Sequence, residues 1–210
     1  IPLLVWARYA VQLLVILLWL LPRMGVGLLR TPRFRLQFVR AAILPLSSLC
    51  FFSALRYLPL AEATAINYAT PVLVIVLAVV FLGERMTRPR IALVLAGIAG
   101  MFLIVRPGSV VFQGAALLAL GSAVFYGAFQ ILTRTLAGED SRVLLFYPAL
   151  VGTLMMTALL PWLGIGFEMP WRDVVVITVA GLLGTIGHFM FILAFQRAPA
   201  SVMTVPFPGF

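Results

Sequence analysis

"NYATPVLVIVLAVVFLGERMTRPR", residues 67–90, decides the fold. An amide, a phenol and a hydroxyl (Asn67, Tyr68, Thr70) precede Pro71, an unbroken apolar run follows, and Gly83-Glu84-Arg85 and two more arginines close it. The run is too apolar and too long for a solvated helix. It suits a helix crossing a bilayer, which needs about 20 apolar residues. Proline lacks an N–H and clashes with the carbonyl four residues earlier. Here that carbonyl is Asn67's, and in lipid such a group must find a partner in protein, water or ligand.

The rest of the chain agrees. Of 210 residues 63% are hydrophobic and only 10% charged, with a mean hydropathy of +1.15. A soluble domain has about a quarter charged residues, so most of this surface must face lipid. Apolar runs mark candidate spans at 3–22, 38–58, 62–82, 90–106, 113–135, 143–163 and 173–196, with an eighth beginning near 199. The second and third are joined by "LPLA" and are expected to form a tight hairpin.

All fifteen basic residues are arginine, against six acidic ones. The net charge of +9 does not imply nucleic-acid binding, because the arginines lie between apolar runs rather than on one polar face. Eleven fall on one side of the expected topology, including Arg23, Arg30, Arg33, Arg35 and Arg40 in a loop over 22–40. That side should be cytoplasmic, and the loop suits an interfacial helix. The single cysteine, Cys50, excludes an internal disulfide. No metal cluster, carboxylate pair or nucleophile–base pair is visible, so the sequence calls for no enzyme, no cofactor and no metal.

An internal repeat is present. Phe51, Ala54, Pro59 and Thr64 recur as Phe191, Ala194, Pro199 and Thr204, and Pro22 as Pro161. Spans one to three then correspond to six, seven and the eighth, with the two copies inverted across the membrane. Inverted repeats are a recurrent plan of secondary transporters. The expectation is an all-α, polytopic transmembrane helix bundle of two inverted five-helix repeats. Residues 1–108 would be a first repeat lacking its first helix, and 109–210 a second that stops before its last two helices are complete. The whole would run to roughly 300 residues at about 20 per span with loops.

The stretch "ALRYLPLAEATAINYATPVLVIVLAVVFLGERMTRPRIALVLAGIAGMFLIVRPG", residues 54–108, resembles the EamA family of the drug/metabolite transporter superfamily. The likeness lies in L-x-Y-x-P-x-A-E-A, the "TP" helix start, "LGER" and the glycine-rich helix ending in "RPG". It implies a ten-helix transporter of the bacterial inner membrane that moves small metabolites, often outward, and leaves the substrate open.

Polar residues inside spans are the candidate site. Arg8 lies about one turn from the middle of its span, where a charge costs at least about 2.5–3.5 kcal/mol and should face a cavity or partner. It suits an anionic group such as a carboxylate. The competing reading is snorkelling beside Trp6 and Tyr9. Gln12 extends the same helix face by one turn. His188, the only histidine, is a candidate for substrate contact or proton relay. Asn67 and Tyr68 stand at the proline break, and Tyr126 and Gln130 recur at helical spacing with Thr133. Glu62 is a candidate proton-coupling carboxylate, though a helix-start acid favoured by the macrodipole is the better account. Arg8, Asn67, Tyr68, Gln130 and His188 are expected around a substrate near the midplane. Gly97, Gly100, Gly181, Gly184 and Gly187 are expected on faces of close helix approach. The partners are a small-molecule substrate and the bilayer, with no nucleic acid, and a homodimer is compatible. The alternatives are a nucleotide-sugar-type carrier of the same superfamily and a non-transporting membrane scaffold.

Overall fold

The computed structural model describes residues 2–84, 87–104, 110–161 and 170–197. These are almost wholly helical: α1 (Pro2–Met24), α2 (Phe34–Ala54), α3 (Leu60–Asn67), α4 (Ala69–Leu82), α5 (Arg88–Ile104), α6 (Val110–Thr135), α7 (Ser141–Leu159) and α8 (Trp171–Arg197). A 3₁₀ turn, Gly25–Leu29, follows α1. Six segments among the described residues are long and apolar enough to cross a membrane: α1, α2, α3 with α4, Gly114–Thr135 of α6, α7 and α8. The expected span 90–106 is helical as α5 over 17 residues. The expected eighth span, with Pro206 and Pro208, lies outside the described residues.

Local chemistry sets the helix ends. Gly83 ends α4 in the left-handed region at φ 65°, and the N–H of Glu84 reaches back to the carbonyl of Ala78 at 3.2 Å. Only glycine adopts that conformation cheaply, which explains the glycine of "LGER". Asp140 caps α7, its side chain accepting from the backbone N–H of Arg142 at 2.8 Å.

The expected span 62–82 is one candidate span, Leu60–Leu82, interrupted ahead of Pro71. α3 stops at Asn67, Tyr68 is the junction, and α4 restarts at Ala69. Pro71 therefore sits in the first turn of α4. There a helix N–H has no intrahelical acceptor, so the missing donor costs little. Pro148, by contrast, lies in the middle of α7 and orphans the carbonyl of Leu144.

The helices form two compact units, one of Ile1–Pro45 with Leu136–Gln196, the other built on Leu46–Thr135. Compactness thus divides the chain along different lines from the sequence repeat. In the first unit α1 packs along α7, around a core of Ile16, Leu20, Val143, Leu144, Ala149 and Ile192. In the second α6 packs against α3 and α4. Its core is mostly small, with Ala54, Ala63, Ala65, Ala115 and Ala119 around Leu58 and Ile66. Lipid tails are as apolar as leucine, so burial does not drive this association, and small side chains that let backbones approach do.

Among the described residues, close approach falls on Gly152, which was not expected, and on Gly181, which was. A Cβ on Gly152 would lie 2.7 Å from the Tyr9 ring, and one on Gly181 would lie 2.6 Å from Val11 Cγ1. Gly97, Gly100, Gly184 and Gly187 have nothing within 4 Å of such an atom among the described residues. Of the expected glycine faces, Gly181 is the one that makes a close approach among the described residues.

Candidate functional site

In the first unit, Arg8 and Gln12 stand one turn apart on α1, and His188 reaches them from α8. Gln12 is 5% exposed, and its amide nitrogen lies 3.3 Å from His188 Nδ1. An amide nitrogen only donates, so Nδ1 accepts and the neutral ring carries its proton on Nε2. The Arg8 guanidinium donates to the Tyr9 hydroxyl at 3.1 Å. It lies 4.9 Å from that ring's centroid, within cation–π range. Tyr9 is wholly enclosed because Gly152 of α7 leaves room for its ring. His188 is within electrostatic reach of both Arg8 and Arg40, and its ring meets Phe191 edge-on at 6.3 Å. Trp6 donates from Nε1 to the Thr157 hydroxyl at 2.8 Å, tying α1 to α7. Three of the expected site residues thus form one constellation: a cation, an amide and an imidazole on membrane-spanning helices.

The remaining candidates belong to the second unit. The Thr70 hydroxyl donates to Asn67 Oδ1 at 3.2 Å across the α3–α4 break and lies 3.5 Å from the carbonyl of Ala123 on α6. One helix pair further along, Ser47 donates to the carbonyl of Ser122 at 3.0 Å. Gln130 is buried, and its Oε1 has no hydrogen-bond partner among the described residues. Tyr126 stacks on Phe129 at 6.0 Å. Tyr68 is 66% exposed. Glu62 occupies the first turn of α3, where the helix dipole favours a carboxylate.

Sequence reasoning missed a second polar group in the first unit. Arg40 was expected in a loop over 22–40. It lies instead inside α2, fully buried, and its Nη1 donates to the carbonyl of Leu144 at 2.9 Å. That is the carbonyl Pro148 deprives of its helical donor, so a guanidinium from α2 replaces the lost N–H. The signal was available: the rule that exposes Asn67 four residues before Pro71 exposes Leu144 four before Pro148. Glu139, in the α6–α7 turn, is within electrostatic reach of Arg40. Its Oε2 accepts from the Thr31 hydroxyl at 2.6 Å and from Gln37 Nε2 at 2.8 Å. Gln196 of α8 donates to the Glu139 backbone carbonyl at 2.7 Å, and the Tyr147 hydroxyl donates to the carbonyl of Leu29 at 2.9 Å.

Comparison with known proteins adds the following. Residues 2–106 match the model of a family described as the EamA-like transporter family. Over 203 residues the chain is 30% identical to the pseudopaline exporter of Pseudomonas aeruginosa, covering 96% of this chain and 70% of that protein. It is 28% identical to the riboflavin transporter of Rhizobium johnstonii, covering 86% of this chain and 60% of that one. A crystal structure of a protein 22% identical superposes with a TM-score of 0.77, covering 97% of this chain and 72% of that chain. At that identity the match speaks to the fold alone.

Proposed function

This chain belongs to the EamA-like transporter family, and from that premise we propose that it carries small polar or amphipathic, amino-acid-like metabolites outward across a bacterial inner membrane by alternating access. Membership makes it a membrane transporter and not an enzyme. The two named relatives handle unlike cargoes, pseudopaline and riboflavin, so no cargo carries over by name. The observation that supports the finer reading is the Arg8–Gln12–His188 constellation. Ionisable residues on spanning helices are costly and mark substrate paths. A fixed cation beside a neutral imidazole and an amide suits a carboxylate flanked by hydrogen-bonding groups. In the second unit Asn67, Tyr68, Tyr126 and Gln130 are proposed as further cargo contacts, and Glu62 and His188 as candidates for proton coupling. The nucleotide-sugar alternative needs deep basic residues free for phosphates, and Arg40 is committed to Leu144.

The test uses the intact protein in proteoliposomes with labelled amino acids, nucleosides, vitamins and cationic dyes, beside Arg8→Ala and His188→Ala. Accumulation of one carboxylate-bearing class, lost in both folded variants, supports the reading. Accumulation unchanged in both removes the site and keeps the transporter. Folded protein that moves no member of the panel counts against metabolite transport.

A further inference from the structure

Glu139 and Gln37 are already joined through one pair of atoms, Gln37 Nε2 donating to Glu139 Oε2 at 2.8 Å. The other oxygen of each group, Glu139 Oε1 and Gln37 Oε1, is enclosed and has no hydrogen-bond partner among the described residues. Gln37 is 0% exposed. Both leftover atoms are acceptors, so neither can satisfy the other, and enclosed polar atoms left in this state call for an explanation. A carboxylic acid and a primary amide have complementary edges: the amide N–H meets one acid oxygen while the acid O–H meets the amide oxygen. The first half of that pair is present.

We propose that Glu139 and Gln37 form a proton-binding site, in which one solvent proton bonds to Glu139 Oε1 and is donated to Gln37 Oε1. The step breaks one O–H bond of a solvent hydronium, leaving water, forms one O–H bond at Glu139 Oε1, and takes the carboxyl from −1 to neutral. A metal ion fits less well, because two side-chain oxygens fall far short of the six or more that hard cations gather.

The charged and titratable surroundings are accounted for element by element. Arg40 of α2 faces the carboxylate electrostatically, and so does the Tyr147 hydroxyl of α7. Asp140, next in the turn, is exposed and engaged in capping α7, while the last turn of α6 carries Arg134. The segment before α2 contributes Thr31, which accepts from the backbone N–H of Arg33 and stands next to Arg30; α2 and α7 also carry Arg35 and Arg142, and α8 contributes Gln196, followed by Arg197. Protonation would remove the charge that offsets Arg40. Arg40 holds α7 at its proline break, and α7 packs along α1, the helix of Arg8 and Gln12. A coupling role for this proton rests on the transport reading above, whereas the proton site does not.

The measurement is pH-difference infrared spectroscopy of the intact protein in nanodiscs, in water and in heavy water, for wild type, Glu139→Gln and Gln37→Leu. The expected result is one titrating carboxylic-acid band, sensitive to deuterium, that is lost in E139Q and moves in frequency and midpoint in Q37L. E139Q keeps the size of the side chain but removes the charge facing Arg40, and Q37L, which keeps that charge, provides a reading if E139Q does not fold. An unchanged band set in both variants overturns the proposal. So does Glu139-dependent thermal stabilisation by sodium chloride but not choline chloride, which would make this a metal site. Loss of the band in a protein that transports nothing would leave the proton site standing and remove the transport reading.

Discussion

Arg40→Leu in backgrounds with and without Pro148 isolates what the buried guanidinium does. In the native protein Arg40 Nη1 donates to Leu144 O at 2.9 Å from a fully buried position. A hydrogen bond from a charged donor is worth about 1.5–3 kcal/mol. Removing one member of a fully buried charge pair costs about 3–5 kcal/mol; Glu139, which faces Arg40 electrostatically, is only partly buried. Since Glu139 keeps Thr31 and Gln37 as donors, the lower end applies, and Arg40→Leu should cost about 3 kcal/mol. At about 2–4 °C per kcal/mol for a chain of this size, that lowers Tm by roughly 6–12 °C. Pro148→Ala restores an N–H at position 148 that can bond Leu144 O within α7. In that background the carbonyl is no longer orphaned, so the cost of Arg40→Leu should shrink by about 1–2 kcal/mol, the penalty of an unsatisfied buried acceptor. Thermal unfolding of the intact protein in micelles, followed by tryptophan fluorescence, gives all four corners of the cycle. Equal costs in both backgrounds, within about 0.5 kcal/mol, would refute the assignment of Arg40 as the replacement donor.

Gly152→Ala puts a methyl 2.7 Å from the Tyr9 ring and should destabilise by about 1–3 kcal/mol as overpacking does, while Gly184→Ala, with open space around it, should be near neutral in the same melt. Asp140→Ala removes the α7 cap and should cost about 1 kcal/mol, with Asp140→Asn restoring most of it. Gln12→Leu leaves Arg8 in place but removes the donor to His188 Nδ1; KM for a carboxylate cargo should rise several-fold with the fold intact, and an unchanged KM would place the cargo elsewhere.

Which segments are apolar enough to cross a bilayer was legible for six of the expected spans. Val72–Leu82 has no charge to place in water, and most of the arginines fall between the runs. Helix ends with local chemistry were also readable in kind, as at Gly83, where a left-handed residue demands glycine. The polar residues with a cost in lipid, Arg8, Gln12 and His188, could be singled out one at a time, because the bilayer penalises each of them whatever its neighbours.

Which residues meet was not legible, because contact depends on how helices distant in sequence pack. Nothing local to Gln12 points to His188, 176 residues away, nor does anything around Arg40 announce Leu144, 104 residues on. Gly152 and Gly184 look alike in sequence, yet one lies against Tyr9 and the other faces open space. Composition and apolar run length determined by themselves that this is a membrane helix bundle, because each residue's transfer between water and lipid is a local free energy. The tertiary structure alone decided that Arg40 is an internal donor rather than a loop charge, because an orphaned carbonyl is satisfied by whichever donor the packing of other helices brings to it.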